Sequence, residues 1–178
     1  TLESNISNAE RAIALDKDII SLEDKIKARG DVKLVIFDPI TAYLGDIQEN
    51  KSSHVRNLIL RLNQLAEKYK LAIILNTHTR KKGNNEKGTG NAADEIMGSS
   101  AWFTTPRQAY TISIDHENKD RILLICCKSN CGAKPKSFDY GIEVLNIEYK
   151  SVSIETTRIK LLSGEVTLSS DEAVNKEV

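Results

Sequence analysis

The sequence predicts an α/β fold with a mainly parallel sheet that antiparallel strands extend toward the C-terminus. Residues 34–38 and 71–75 are short apolar runs, and such runs are typical of strands buried on both faces of a parallel sheet. Between them, apolar residues recur at helical spacing from Val55 to Ala66. Strand, helix and strand in this order form the crossover unit of parallel sheets. After residue 107, short strand-like segments alternate with turn residues, which favours antiparallel hairpins.

Local signals predict the remaining elements. Residues 1–31 carry an apolar helical stripe, and Gly30 is expected to end that helix. Ser52 or Ser53 is expected to cap the second helix, because a serine oxygen can accept a bond from a free N–H of the first turn. A short helix is expected over residues 92–103, and strands over residues 108–114, 122–128, 137–140, 142–149 and 151–158. We assign residues 1–160 to a partial core and residues 161–178 to a polar C-terminal tail.

Composition excludes two broad classes of protein. The 178 residues contain 25 Lys and Arg and 25 Asp and Glu, so the formal net charge is zero. A dedicated nucleic-acid binder is usually strongly basic, so any contact with nucleic acid must come from a local patch. No run approaches the roughly 18 apolar residues of a membrane span, and no signal-peptide pattern occurs. We therefore expect a cytoplasmic protein, and the initial Thr in place of Met suggests a fragment.

Three cysteines, Cys126, Cys127 and Cys131, lie close together near the C-terminal strands. A zinc site would need a fourth ligand at suitable spacing, and no second Cys or His pair follows. Cys126 and Cys127 fall in an apolar run, where cysteine behaves as a small hydrophobic residue. We expect reduced structural thiols, with a metal site as the alternative.

Polar residues follow both apolar strands of the predicted parallel layer. Asp38 comes directly after the first, and Asn76, Thr77 and His78 follow the second. Open α/β sheets bind their ligands at the carboxyl ends of the strands. An apolar strand that ends in Asp is the pattern of a Walker B carboxylate, which holds Mg²⁺ through its water shell. The alternative is that Asp38 is a turn or helix-cap residue.

Four segments together resemble one family, the RepA-type hexameric replicative helicases, whose RecA-like P-loop ATPase core is an AAA domain related to those of the DnaB and RadA types. The segments cover about residues 32–148 and read LVIFDPITAYLG, AIILNTHTRKKG, MGSSAWFTTPRQAYTI and LICCKSNCGAKPKSFDYGIE. They occur in the order and at the spacing of the family. The resemblance implies the C-terminal half of a RecA-like P-loop NTPase core.

The resemblance also implies roles for individual residues. Asp38 would hold the magnesium shell, with Thr77 beside it at the nucleotide. His78 would sense the γ-phosphate, with its neighbours Asn76 and Thr77 able to orient it, unless it simply packs at a strand end. Arg107 would act as an arginine finger on the nucleotide of the next subunit, or else be an ordinary surface residue. Lys128 is a second cation that could act across that boundary. DnaB-type relatives end the corresponding K-x-R segment in Arg, whereas this chain has Asn130.

A basic loop follows the second strand and contains Arg80, Lys81, Lys82 and Lys87. RecA-like rings use loops in this position to line a channel and to touch the phosphates of single-stranded DNA. The alternative is a solvated loop, since no aromatic residue for base stacking lies in it.

The phosphate-binding motif G-x-x-x-x-G-K-[S/T] does not occur in the sequence. We therefore expect ATP and Mg²⁺ to serve a complete protein that forms a homo-oligomeric ring, and the isolated chain to be inactive with no tightly bound cofactor. The resemblance places the P-loop strand between the strands ending at Asp38 and His78. Without it, these strands must pair directly, leave a gap or borrow a strand from another copy.

Two other functions stay open at this point. One is a non-catalytic module that keeps a RecA-like surface for oligomerisation or DNA binding. The other is a metal-dependent nuclease or hydrolase that uses Asp38 and His78. This enzyme would need further carboxylates, and the nearest are Asp46 and Glu49, which lack an evident ligand spacing.

Overall fold

The computed structural model describes residues 13–79, 98–162 and 166, and it shows a mixed α/β protein. The chain divides into two compact units, one of Thr1–Lys81 with Ile96–Pro106 and one of Lys82–Glu95 with Arg107–Val178. The elements in chain order are α1 (Leu15–Arg29), β1 (Leu34–Phe37), a 3-10 turn (Ile40–Tyr43), α2 (Ser52–Tyr69), β2 (Ala72–Leu75), α3 (Ala101–Thr104), β3 (Gln108–Ile114), β4 (Ile122–Ser129), β5 (Phe138–Tyr149) and β6 (Val152–Leu161).

Helix α1 begins and ends with side chains and backbone that satisfy its terminal groups. Asp18 accepts a hydrogen bond from the Ala14 backbone N–H at 2.8 Å, and a carboxylate in the first turn also complements the helix dipole. Gly30 ends the helix in the left-handed conformation, with φ of 74° and its N–H bonded to Ile26. The prediction for Gly30 is confirmed. Residues 1–12 of the predicted helix lie outside the described residues.

Helix α2 corrects the predicted serine cap. Its N-cap is Lys51, which makes no side-chain capping bond, and Ser52 is already the first helical residue. The Ser52 hydroxyl instead lies 2.7 Å from the Ser99 hydroxyl in the segment before α3. The Ser52 side chain therefore makes a tertiary hydrogen bond, whereas the local sequence predicts that it caps the helix.

One apolar core holds the first unit together. The helical spacing in α2 places Val55, Leu58 and Leu62 on its buried face. They pack with the buried residues Leu15, Ile19, Leu22, Ile26, Phe37, Ile40, Leu44, Ile59, Leu65, Leu71, Ala101 and Trp102. None of the described helices combines the length and apolar character needed to cross a membrane.

Strands β1 and β2 pair directly and in parallel, with Leu34 opposite Ala72 and Phe37 opposite Leu75. Of the three arrangements open to these strands, the structure therefore shows direct pairing. The prediction that both strands are buried on both faces is wrong. Leu34, Ile36 and Ile74 are 48%, 56% and 50% exposed, because within this unit the helical core covers one face of the ladder only.

Strands β3 to β6 form a second, antiparallel sheet in sequence order. The predicted α/β class and the antiparallel strands toward the C-terminus are confirmed. The prediction of one mainly parallel sheet is wrong, since four of the six named strands pair antiparallel in a sheet of their own. The physical reason is local, because each of these strands turns back on its neighbour. The β5–β6 turn has positive φ at both Lys150 and Ser151, 49° and 63°, which is the backbone of a two-residue hairpin.

Strand β5 runs unbroken where the sequence predicts two strands. Gly141 does not interrupt it, because Tyr140, Gly141 and Ile142 all keep their partners on β6. A Cβ atom at Gly141 would lie 3.3 Å from the Asp120 carbonyl oxygen. Glycine here allows close backbone approach within a strand rather than ending it.

Arg121 forms an ionic cluster with two buried aspartates of the second unit. Arg121 donates from Nε to Asp139 and from Nη1 to Asp115, both at 2.7 Å. The two carboxylate side chains are 2% and 8% exposed. The Glu117 backbone N–H and then the Arg121 guanidinium hold the pKa of Asp115 below its ordinary value. Arg121 therefore joins the β3–β4 turn to β5 by charge-assisted hydrogen bonds.

Candidate functional site

The carboxyl ends of β1 and β2 lie side by side and carry the first polar residues of the site. The register pairs Phe37 with Leu75, so Asp38 and Asn76 are each the first residue past a strand end. Parallel pairing brings these ends to the same edge of the sheet, where α/β proteins bind ligands. The sequence prediction of a shared edge for Asp38, Thr77 and His78 agrees with this register.

Asp38 is held by Asn76. The Asn76 amide Nδ2 donates to Asp38 Oδ1 at 2.5 Å. The Asn76 backbone is also hydrogen-bonded to residues before and after Asp38. Its N–H donates to the Phe37 carbonyl at 2.9 Å, and its carbonyl accepts from the Ile40 N–H at 2.8 Å. Sequence reasoning treats Asn76 as a residue that orients His78. In the structure, Asn76 instead donates a hydrogen bond to Asp38. The sequence signal for this pair was that each residue directly follows one of the two parallel strands.

Thr77 and His78 continue along the same edge. Thr77 is partly buried, whereas Asp38 and His78 are exposed. The edge thus presents a carboxylate, an amide, a hydroxyl and an imidazole within a few residues of two strand ends. An exposed carboxylate with one oxygen fixed by an amide is chemically suited to the water shell of Mg²⁺. An imidazole can donate a hydrogen bond to a phosphate oxygen.

Arg107 and Lys128 belong to the second unit and lie at one end of its β3–β4 ladder. Arg107 precedes β3, is exposed, and its carbonyl accepts from the Asn130 N–H at 2.8 Å. Lys128 pairs with Ala109 across the ladder, and burial lowers the pKa of its ammonium group. The structure therefore brings these two cations to the same end of one sheet.

The predicted nucleic-acid contacts Arg80, Lys81, Lys82 and Lys87 lie outside the described residues.

Of the two nearest additional carboxylates, Asp46 and Glu49, the carboxylate of Asp46 has another partner. Asp46 accepts from the Lys17 ammonium at 2.6 Å, and this bond holds the pKa of Asp46 below its ordinary value. The Glu49 backbone carbonyl accepts from the Ser99 N–H at 3.0 Å. Over residues 13–79, 98–162 and 166, no group of three or more His, Cys, Asp or Glu is arranged to hold a metal ion. These contacts do not favour the nuclease alternative.

The cysteines occupy three different environments. Cys126 is buried, Cys127 is partly buried and Cys131 is exposed. Cys126 and Cys127 are consecutive in β4, at the point where its register with β3 shifts.

Comparison with known proteins extends this description for part of the chain. Residues 3–84 match the family model of an AAA domain, which spans less than half of the chain and includes α1, β1, α2 and β2. No curated protein matches the chain. The match supports an AAA, P-loop-ATPase-like domain in this region, and with it a nucleotide-dependent, ATPase-type function.

Proposed function

We propose that the chain is the C-terminal part of an ATP-dependent DNA helicase or recombinase-like ATPase that acts in DNA replication or repair. The observation that carries the proposal is the hydrogen-bonded pair Asp38 and Asn76 at the shared edge of two parallel strands. The AAA-domain match over residues 3–84 supports the ATPase part of this assignment. The order of the four helicase-like segments favours the RepA type within this broad class.

In this proposal each residue of the edge has one task. Asp38 orients water molecules around Mg²⁺, and Asn76 keeps the carboxylate in position. His78 donates a hydrogen bond to the terminal phosphate of ATP, with Thr77 beside it. Bound Mg²⁺ would neutralise charge on the phosphates during transfer to water. The remaining charge is stabilised by a cation from a neighbouring subunit in a ring, Arg107 or Lys128.

DNA contact is assigned to the basic loop. Arg80, Lys81, Lys82 and Lys87 would neutralise phosphates of single-stranded DNA in the ring channel, an interaction that salt weakens and that reads no sequence. The alternative proposal is a non-catalytic module that oligomerises or binds DNA without nucleotide. It is favoured by the absence of a G-x-x-x-x-G-K-[S/T] motif from the sequence.

Two measurements on the chain test the proposal. Because the sequence lacks a phosphate-cradling loop, the purified chain should hydrolyse ATP no faster than buffer and bind it more weakly than about 1 mM. Mn²⁺ added as a stand-in for Mg²⁺ should broaden the NMR signals of Ile40, Asn76, Thr77 and His78 before those of other amides. Asp38→Asn should abolish this selective broadening.

Asp46→Asn is the matched control, because Asp46 is an exposed carboxylate of the same unit that is already bonded to Lys17. It should leave the broadening pattern unchanged. Broadening that follows Asp46, or that is equal in wild type and Asp38→Asn, would remove the metal role of Asp38 and favour the non-catalytic module. Turnover by the chain that Asp38→Ala abolishes would show that the site is complete.

A further inference from the structure

The second unit exposes one whole face of its antiparallel sheet. We define the open face by eight side chains that are 41% exposed (Phe138) to 68% exposed (Ile159 and Leu161). Its members are Tyr110, Ile112, Ile114, Phe138, Ile142, Val144, Ile159 and Leu161. All eight are apolar or aromatic, and none carries a charge.

The strand register makes the open face continuous. Ile112 lies opposite Leu124, and Leu124 lies opposite Phe138. Farther along β5, Ile142 lies opposite Ile159. Residues directly opposite each other project from the same side of a sheet, and alternate residues of one strand do so as well. The eight side chains come from β3, β5 and β6, and Leu124 of β4 lies between those of β3 and β5, so they form one surface on this side of the sheet.

The open face also has a boundary. Beyond Val144 and Ile159, the same side of the β5–β6 hairpin carries Asn146 opposite Glu155 and Glu148 opposite Ser153. The apolar surface thus ends in a polar border. A bounded apolar patch with a polar border marks an interaction site, whereas isolated apolar residues on a surface are ordinary.

The other side of the same sheet is covered under β4 and the start of β5, whereas Ile147, Tyr149, Val152 and Ile154 are 41–60% exposed on that side farther along the β5–β6 hairpin. Leu123 and Ile125 are 2% and 1% exposed, and the carboxylates that Arg121 binds are buried on or beside that face. At β4 and the start of β5, the sheet therefore has one packed face and one open face. Antiparallel sheets with an apolar open face are completed in sandwiches by a second sheet packed about 10 Å away.

We propose that the open face is a self-association surface, and that its occupant is the open face of a second copy of this chain. Eight side chains at these exposed fractions offer on the order of 800 Å² of apolar surface, which is about what one partner contributes to a standard interface. Because the face is uncharged, two copies meet without like-charge repulsion. The product is a two-layer sandwich with two-fold symmetry.

This dimer goes beyond the proposed function. Subunits of an ATPase ring meet head to tail through two different surfaces, whereas the dimer uses one surface twice and closes at two copies. The dimer requires neither ATP nor Asp38. Its presence or absence therefore leaves the nucleotide proposal untouched.

The test is the mass of the purified full chain in solution. At about 10 µM, light scattering after size exclusion should give twice the chain mass of 19.8 kDa, since interfaces of this size commonly bind at micromolar concentration or tighter. Ile159→Glu should raise the dissociation constant at least about a hundredfold, because two-fold symmetry buries the new charge twice. Val144→Thr keeps a β-branched side chain and should raise it about tenfold.

Ile20→Glu is the matched control, because Ile20 is also isoleucine and also 68% exposed but lies on α1 of the first unit. It should leave the dimer unchanged. Circular dichroism and amide exchange establish whether each variant is folded. If Ile159→Glu does not fold, Val144→Thr still tests the proposal. A wild-type chain that stays at 19.8 kDa up to about 200 µM overturns the proposal. A series of oligomers that grows beyond the dimer would also overturn it. The same holds if Ile20→Glu and Ile159→Glu raise the dissociation constant equally.

Discussion

The two units of the chain differ in how large a buried apolar core they have. The first unit buries leucines and isoleucines of α1 and α2 in one core. The second unit has Leu123 and Ile125 as its buried apolar cluster, with Val166 packed against them. It buries the polar residues Ser113, Asp115, Ser137 and Asp139 instead, and its open face leaves large apolar side chains in solvent.

This difference implies that the units are stabilised by different forces. Apolar burial in the first unit contributes through the hydrophobic effect and tight packing. The second unit depends on ladder hydrogen bonds and on the Arg121 cluster. A buried ion pair adds little compared with apolar packing, but removing one partner leaves an uncompensated charge. Different substitutions should therefore destabilise the two units.

Arg121→Met gives the largest expected effect. It leaves Asp115 and Asp139 buried without their common partner, so we expect a loss of about 3–5 kcal/mol. Amide hydrogen exchange should show the loss in β3, β4 and β5, while amides of α1 and α2 keep their protection. Equal loss of protection in both units would contradict the comparison.

Leu58→Ala is the reciprocal substitution. Leu58 is 2% exposed in the apolar core of the first unit, and shortening a buried leucine costs about 2–5 kcal/mol. Protection should fall in α1 and α2 and persist in β3 to β5. Arg158→Met is a further control, because Arg158 bonds to Glu143 on an exposed surface and such pairs contribute little.

Local sequence was sufficient where neighbouring residues decide the structure. The helical spacing from Val55 to Ala66 predicted α2, and Gly30 predicted the end of α1. Asp38 and Asn76 could be placed at one edge because each follows an apolar strand, and parallel strands share their carboxyl edge. Their roles in binding nucleotide stay predictions.

Local sequence was insufficient where a distant partner decides the structure. Leu34 and Ile36 look like strand residues buried on both faces, but burial depends on a second covering layer that a single strand cannot reveal. Ser52 resembles a cap, yet Ser99 binds it from 47 positions away. The Arg121 cluster joins residues 6 and 18 positions apart. Its one local signal was Asp139, a carboxylate between Phe138 and Tyr140 in an otherwise apolar strand start.

Acid should act on the second unit through Asp115. Hydrogen bonds from Glu117 N–H and Arg121 lower the pKa of Asp115 in the folded state. A carboxylate with a lowered folded-state pKa stabilises the fold above its unfolded pKa of about 3.9, and this contribution is lost as pH falls through the folded value. The urea midpoint of the second unit should therefore fall below about pH 4, and Asp115→Asn should flatten that fall.

Asp46→Asn provides the contrast for the acid experiment. The Lys17 ammonium lowers the pKa of Asp46 in the first unit, so this variant should change the acid response of the first unit alone. NMR signals of each unit, followed through urea titrations between about pH 6 and pH 3, separate the two responses. An unchanged pH dependence of the second unit in Asp115→Asn would show that Asp115 does not control it.

The smallest expected effect comes from the serine pair of the first unit. Ser99 is 6% exposed, and its hydroxyl oxygen accepts from the Ala101 N–H at 3.1 Å besides lying 2.7 Å from the Ser52 hydroxyl. Ser99→Ala leaves a buried N–H without this acceptor, so we expect a loss of about 1 kcal/mol in urea unfolding. Ser52→Ala should have a smaller effect, because Ser52 lies on the exposed side of the pair and its loss leaves the Ser99–Ala101 bond in place. The loss of stability in the double variant should then not exceed the sum of the two single losses. A double-mutant cycle measures the coupling between Ser52 and Ser99. If Ser52→Ala alone lowers stability by about 1 kcal/mol and shows no coupling to Ser99, Ser52 stabilises the start of α2 as a cap would.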